Sequence, residues 1–236
     1  DGDTVTVWYT VTGVKSASTL YNVMHSGDDI SDTVPVAVEA TGNNGTLLQQ
    51  VDYYKLASLT IKIPVYRGMV SGDTVTVYWI GRDYTYDSDT ITVSAIGEID
   101  VLVPRMEFID TIGDTAFVYF SVKKNGVGDE ISSSILYLDI EGQSLELKSP
   151  DVSDDLQTVT VIYSGMSSSD RVKVRVVGAS INETSVQQGN DSNIIIFSID
   201  RSWLEKDERS NLLYNYAVGV SGGEYQFSRV TRISAT

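Results

Sequence analysis

The chain has 236 residues, 42% of them hydrophobic, with 14 Tyr, 19 Gly and no Cys, and its 32 acidic against 17 basic residues leave a formal net charge of −15. The missing cysteines exclude disulfides, thiolate metal sites and cysteine nucleophiles, and the acidic balance repels polyphosphate, which excludes nucleic acid as a partner. No run approaches the roughly 20 apolar residues of a membrane-crossing helix. Asp1-Gly2-Asp3 has neither the basic end nor the apolar run of a signal peptide, so the chain reads as a mature or excised segment without direct membrane insertion.

Prominent Val, Thr, Ile and Tyr favour strands, and period-two alternation bounded by Gly, Asn, Asp and Ser places them along the chain. Residues 1–26 read as a hairpin, Gly2 to Val11 followed by Ser18-Thr19-Leu20-Tyr21. Strands are then expected near 34–39, 46–51, 58–65, 73–81, 89–95, 98–103, 114–122 and 133–140, and again near 143–148, 157–163, 170–178, 193–200, 210–218 and 225–233. Gly42-Asn43-Asn44-Gly45, Asn125-Gly126 and Gly222-Gly223 mark turns between them. The segment Trp203–Arg209 lacks β-branched residues and reads as a short helical turn with Ser202 as its cap. Residues 105–112 fill the corresponding place one unit earlier.

The pattern repeats. Val65-Tyr66-Arg67-Gly68-Met69-Val70-Ser71-Gly72-Asp73 returns as Ile162-Tyr163-Ser164-Gly165-Met166-Ser167-Ser168-Ser169-Asp170, and each copy leads straight into an alternating strand. A second block, Gly2-Asp3-Thr4-Val5-Thr6-Val7-Trp8-Tyr9, matches Gly113-Asp114-Thr115-Ala116-Phe117-Val118-Tyr119-Phe120, with a fainter third copy from Ser210 to Val218. Self-similarity at a domain-sized period indicates a tandem array. One register conflict stands out: Ile63 and Val65 align with Thr160 and Ile162, yet Val159 and Val161 carry the inward pattern of the second copy. A one-residue slip reverses the faces of a strand, and Pro64 marks the place where a bulge would absorb it.

Trp79 in the third main strand and Asp114-Thr115-Ala116-Phe117-Val118-Tyr119 in the sixth follow the order of an immunoglobulin-like domain. The Tyr-x-Gly-Met-x-x-Gly-Asp turn before a Trp-containing strand resembles the bacterial Ig-like tandem repeats of large surface or secreted adhesin-like proteins. The resemblance implies an all-β fold of tandem immunoglobulin-like β-sandwich domains. Residues 1–26 would be the terminal hairpin of a preceding repeat, 27–141 one domain and 142–236 another. It implies an extracellular, bacterial cell-surface location, with a virion appendage as the alternative. The partners implied are neighbouring Ig-like repeats of a longer chain and, for a binding module, a host-surface glycan or protein.

Little here supports catalysis. His25 is the only histidine, which rules out a two-histidine metal site, and no serine sits in a nucleophile elbow. The paired acids lie on turns, away from any sugar-sized cleft the pattern would build, so an enzyme is not expected. No cofactor is required. Calcium would suit two acid groups, Asp28, Asp29 and Asp32 at the expected domain junction and Asp83, Asp87 and Asp89 on a loop, since hard cations take several converging oxygens. Tyr84 and Tyr86 on that loop, and the adjacent Tyr53 and Tyr54, are the candidates for sugar or protein contact. Three functions compete on this basis: a structural spacer or stalk, a binding module using end loops, and a phage tail or capsid appendage.

Overall fold

The computed structural model describes residues 3–23, 29–205 and 211–234. The architecture is all-β: a hairpin, then two sandwiches, each closed around its own apolar core. In the hairpin β1 (Asp3–Val7) pairs antiparallel with β4 (Thr19–Val23), and between them β2 (Thr10–Val11) and β3 (Val14–Lys15) close on Thr12-Gly13. These two turn residues have φ of 48° and 82°, the left-handed pair that a two-residue hairpin turn requires.

The first sandwich sets a three-stranded sheet against a larger one. The small sheet comprises β5 (Val36–Ala37), β7 (Ser58–Ile63) and β11 (Ile99–Pro104), in the order β11-β7-β5. The large sheet runs β10 (Ile91–Thr92), β8 (Thr74–Ile80), β12 (Thr115–Lys123), β14 (Leu136–Ile140) and β6 (Leu47–Leu48), with β9 (Thr85–Asp87) on β8 and β13 (Ile131–Ser132) on β12. The last pair, β14 with β6, is parallel. Alternation along β7, β8 and β12 turns Ile61, Val77, Trp79, Val118 and Phe120 inward, and Trp79 is 0% exposed between the sheets, as the immunoglobulin reading expects.

The second sandwich repeats the order. β15 (Asp151–Val152), β16 (Thr158–Ile162) and β20 (Ile194–Ser198) form one sheet. In the other, β17 (Arg171–Val177) and β21 (Leu212–Gly219) are central, flanked by β18 (Ile181–Glu183) and β19 (Gln187–Gln188) on one side and by β22 (Tyr225–Phe227) and β23 (Thr231–Ile233) on the other. Val176 occupies the place of Trp79, and Tyr214 and Tyr216 supply the missing bulk.

The register conflict resolves at Pro64. Leu59, Ile61 and Ile63 face inward as do Val159 and Val161, and both motif tyrosines, Tyr66 and Tyr163, are buried. Between the last inward strand residue and the tyrosine the first copy carries one residue more: Pro64 and Val65 follow Ile63, where Ile162 alone follows Val161, and Val65 is turned out to solvent. Pro64 offers no N–H to a ladder, so the extra residue costs no backbone bond there.

The repeated turn motif is a latch. Tyr66 Oη donates to the buried carboxylate of Asp73 at 2.9 Å, and Tyr163 Oη to that of Asp170 at 3.0 Å. Each aspartate also accepts an N–H from its own turn, Val70 or Ser167, and reaches the short 3-10 turn that follows the sixth strand, at Asn125 N–H in one unit and Ser221 N–H in the other. Lys124 adds an ion pair to Asp73 at 2.9 Å. Burial works to raise the Asp73 carboxyl, but Lys124 and the surrounding donors outweigh it and hold it below the usual carboxylate range. The motif therefore ties the start of the third strand to the turn after the sixth, neighbouring strand ends of one sheet, which explains its recurrence without any ligand. Hydroxyls recur in the same way. Ser88 and Thr184 accept from the third strand at Val77 N–H and Val174 N–H, and Ser133 and Ser228 accept from the sixth at Phe120 N–H and Tyr216 N–H. Each stands in for a ladder bond where an edge strand breaks.

Four expected elements differ. Residues 46–51 divide into β6 and the helical turn α1 (Gln50–Tyr53), because the Glu141 carboxylate accepts from Gln50 N–H at 2.6 Å and caps the turn. Residues 143–148 form no strand. Their polar groups bond instead to the second sandwich, where Gln143 Nε2 donates to Phe227 O and the Gln226 side-chain carbonyl accepts from Leu145 N–H. The span 225–233 is two strands separated at Ser228. The helical turn expected at 203–209 is a 3-10 turn at Arg201–Leu204, capped by Asp200 rather than Ser202, and residues 206–210 lie outside the described residues. The segment expected to fill the same place in the first unit is the helix α2 (Arg105–Asp110).

Candidate functional site: the junction of the two sandwiches

The fifth and sixth strands of the first sandwich are joined through α2, and this end of the unit sits on the outer face of the large sheet of the second. β21 is consequently buried along both faces: Leu212, Tyr214, Tyr216 and Val218 face their own core, while Ala217 and Phe227 join the core of the first unit, with Val177, Leu213, Tyr225 and Val230 packed beside them. An outward-facing sheet residue would ordinarily be solvated.

A charge cluster lies in this contact. Arg232 on β23 donates through both Nη atoms to Glu107, at 3.1 and 2.8 Å, and to Asp110 at 3.2 Å, and Val230 N–H donates to Asp110 at 2.8 Å. Both carboxylates are buried. Burial lifts the Glu107 carboxyl above its ordinary range despite the two bonds from Arg232. Burial also works against the Arg232 charge, but Glu107 and Asp110 outweigh it and hold its pKa above the ordinary value. The Arg232 guanidinium lies 4.2 Å from the Tyr84 ring centroid, a cation–π contact from one unit to the other.

Two clefts flank the cluster. The larger, about 580 Å³, includes Tyr84, Tyr86, Asp87, Asp89, Arg105 and Arg175 in its lining. The smaller, about 370 Å³, gathers Arg105, Arg171, Lys173 and Arg175 with Tyr54 and Tyr225. Its cations are engaged. Arg175 and Lys173 bond Glu183, and Arg105 donates to the carbonyls of Tyr54 and Leu56 beneath the Phe227 ring. Burial pulls the Arg105 pKa down to about 10, with Arg175 adding like-charge repulsion. Those bonds each stay within one unit, and of these contacts it is the Arg105–Phe227 ring contact that crosses the junction.

The residues expected as sites are distributed unevenly. Tyr84 and Tyr86 come together with Asp87 and Asp89 at the junction cleft, and burial first, then Glu107, pushes the Tyr86 hydroxyl up to about 12. Asp83 is exposed outside the cleft lining. Tyr53, at 1% exposure, is a core residue and offers no surface contact, whereas Tyr54 is half-buried at the edge of the smaller cleft. Asp29 accepts from Ser31 N–H and Asp32 from Thr33 Oγ1, both within their own loop. Asp28 and His25 lie outside the described residues. Among the described residues no three His, Cys, Asp or Glu side chains converge as a metal site.

The strand order and the junction define the class: a tandem pair of immunoglobulin-like β-sandwiches. No family model matches the sequence, and no curated protein matches it. Solved structures to which the chain is similar include the tetra-tandem repeat in the extending region of a large adhesion protein, at 14% identity over 93% of this chain and 53% of that one, with a TM-score of 0.32. A 1.5-MDa bacterial ice-binding adhesin is 12% identical over 99% and 72%, with a TM-score of 0.31, and the chicken CNTN1 FN1-FN3 domains are 15% identical over 95% and 73%, with a TM-score of 0.25. The chain thus spans about half the length of the first of these. No helix among the described residues is long and apolar enough to cross a membrane.

Proposed function

We propose that the chain is a structural spacer segment of tandem Ig-like repeats in a bacterial surface or secreted adhesin-like protein, lying outside the cell. The observation that carries this reading is the junction, where the end of one sandwich buries the sheet face of the next and an ion-pair cluster fixes the contact. A contact of that kind passes a set orientation from unit to unit, which a spacer needs and a flexibly linked pair lacks. Residues 1–26 fit as the last two strands of a preceding repeat. Val7 and Tyr9 match Val118 and Phe120, which are fully buried, yet they are 51% and 70% exposed here. A two-stranded hairpin with such a face is marginal alone.

Limited proteolysis tests both parts. The expected result is rapid clipping near residue 28, leaving the rest of the chain as one resistant body. Early cleavage between residues 141 and 150, releasing separate units, would overturn the locked spacer; protection of residues 1–26 would overturn the assigned phase. A second reading, a glycan- or protein-binding module, is favoured by the junction cleft that gathers Tyr84 and Tyr86 beside Arg105 and Arg175.

A further inference from the structure

The geometry points to a docking surface on the outer face of the first sandwich, the strip formed by Tyr78, Phe117, Tyr119 and Tyr137, and its occupant is the fifth-to-sixth-strand end of a preceding Ig-like unit. This rests on the tandem reading above and adds the surface, its partner and the chemistry of the contact.

The strand registers supply the argument. Trp79 pairs with Val118 in the first unit, and Val176 pairs with Tyr214 in the second, so these two pairs are equivalent. Stepping one residue along each strand makes the pair Tyr78–Tyr119 the counterpart of Arg175–Asn215, and the pair Phe117–Tyr137 the counterpart of Leu213–Arg232. In the second unit these positions are the junction itself. Asn215 and Leu213 lie under the first unit, and Arg232 forms the buried ion pairs. In the first unit the same four positions are all aromatic: Phe117 is 37% and Tyr137 58% exposed, and Tyr78 and Tyr119 are half-buried beside them.

The four rings are already ordered as a surface. Tyr78 and Tyr119 stack at 4.8 Å, and Phe117 meets Tyr137 edge-on at 5.3 Å. Contiguous exposed aromatics on a sheet face mark an interaction site, and rigid rings are the side chains enriched in protein interfaces. The substitutions also specify the partner. Where the second unit offers the Arg232 cation to Glu107 and Asp110, the first offers the Tyr137 ring. The preceding unit should therefore carry an apolar or neutral residue where α2 carries Glu107, since a buried carboxylate facing Tyr137 would have no cation. In a second copy of this chain the α2 end is already covered by its own second sandwich, so α2 is not available from that source.

The test compares tyrosine nitration, read by peptide mass, in the 236-residue chain and in the same chain extended by the complete unit that precedes it in its polypeptide. In the shorter chain Tyr137 should nitrate readily, at a rate independent of protein concentration. In the extended chain its nitration should be lost, and Phe117→Ser with Tyr137→Ser should lower the melting temperature of the extended chain but not of the shorter one. Equal nitration in both would overturn the docking while leaving the tandem reading intact. Protection that grows with the concentration of the shorter chain would also overturn it, by making a second copy the occupant. A preceding segment with no Ig-like unit would instead remove the tandem reading on which the proposal stands.

Discussion

Trp79→Ala should cost about 3–5 kcal/mol, the penalty for deleting a large core aromatic. Trp79 sits on the central strand β8, fully buried, opposite Val118 on β12 and across from the sheet that carries Ile61. Truncation empties the middle of a core whose walls are two hydrogen-bonded sheets, and sheets cannot collapse inward without losing their ladders, so the cavity persists. Amide exchange should locate the damage. Protection should fall in β7, β8 and β12 while β16 and β20 of the other sandwich hold theirs. Trp79→Phe should cost much less, because it keeps most of the ring volume and removes a buried indole N–H that has no partner among the described residues. A loss for the alanine variant within the roughly 0.5 kcal/mol typical of surface substitutions would sink the sandwich core as described.

Arg232→Ala should cost about 3–5 kcal/mol at neutral pH, the usual result of breaking a buried pair from one side. The loss comes less from the bonds removed than from what is left. Glu107 and Asp110 stay in the junction with no cation, unless the two sandwiches separate to admit water. Scattering on the variant should therefore report a loosened arrangement, and the melt should divide into two transitions where the intact chain gives one. The pH dependence has a definite sign. Burial already raises the Glu107 carboxyl, and without Arg232 it rises further, so the folded variant binds a proton more tightly than the unfolded chain does. Its penalty is present in full above that raised pKa and fades as pH falls toward the unfolded value. The deficit relative to the intact chain should shrink between pH 7 and pH 4, and Glu107→Gln should recover part of it at pH 7. A deficit independent of pH and of Glu107 would mean that Arg232 acts through packing alone.

Much of the fold was legible because strands buried on one face write their register into the sequence. Val75, Val77 and Trp79, or Val172, Val174 and Val176, alternate without interruption. The weak strands were legible only in part: a strand is expected over 46–51, but its extent is set by pairing from elsewhere in the chain. Leu47 and Leu48 owe their pairing to β14, far along the chain, and residues 143–148 look like a strand only until the side chains of Gln143 and Gln226 are seen to satisfy that backbone. The junction escaped the sequence reading almost wholly. Glu107 and Arg232 are 125 positions apart, and each looks like an ordinary surface charge. One signal was available: Asn215 and Ala217 interrupt an aromatic strand with small or polar residues on its outer face, as a covered surface requires. Tyr84 and Tyr86 line the junction cleft, where Asp87 and Asp89 share the lining with Arg105 and Arg175, basic residues that stand outside that loop in the chain, on α2 and β17.

The parallel pairing of β6 with β14 bears on how the chain answers tension. In the first sandwich Asp139 N–H donates to Thr46 O and Glu141 N–H to Leu48 O, so the last strand is clamped on its free edge by a segment running in its own direction. A pull on the chain ends loads such bonds side by side, in shear, and they must yield together. In the second sandwich the matching edge is held mainly through side chains: residues 143–150 run beside β22 and β23, joined by Gln143 to Phe227, Gln226 to Leu145 and Thr231 to Pro150, with a backbone bond from Arg229 N–H to Leu147 O. Forced unfolding is governed by the barrier to unfolding and not by equilibrium stability, so the two units should part at different loads even where their melting points agree. Single-molecule stretching should record the second sandwich opening first, at the lower force, with the first as a reserve of length; opening in the reverse order would show that the clamp carries no load.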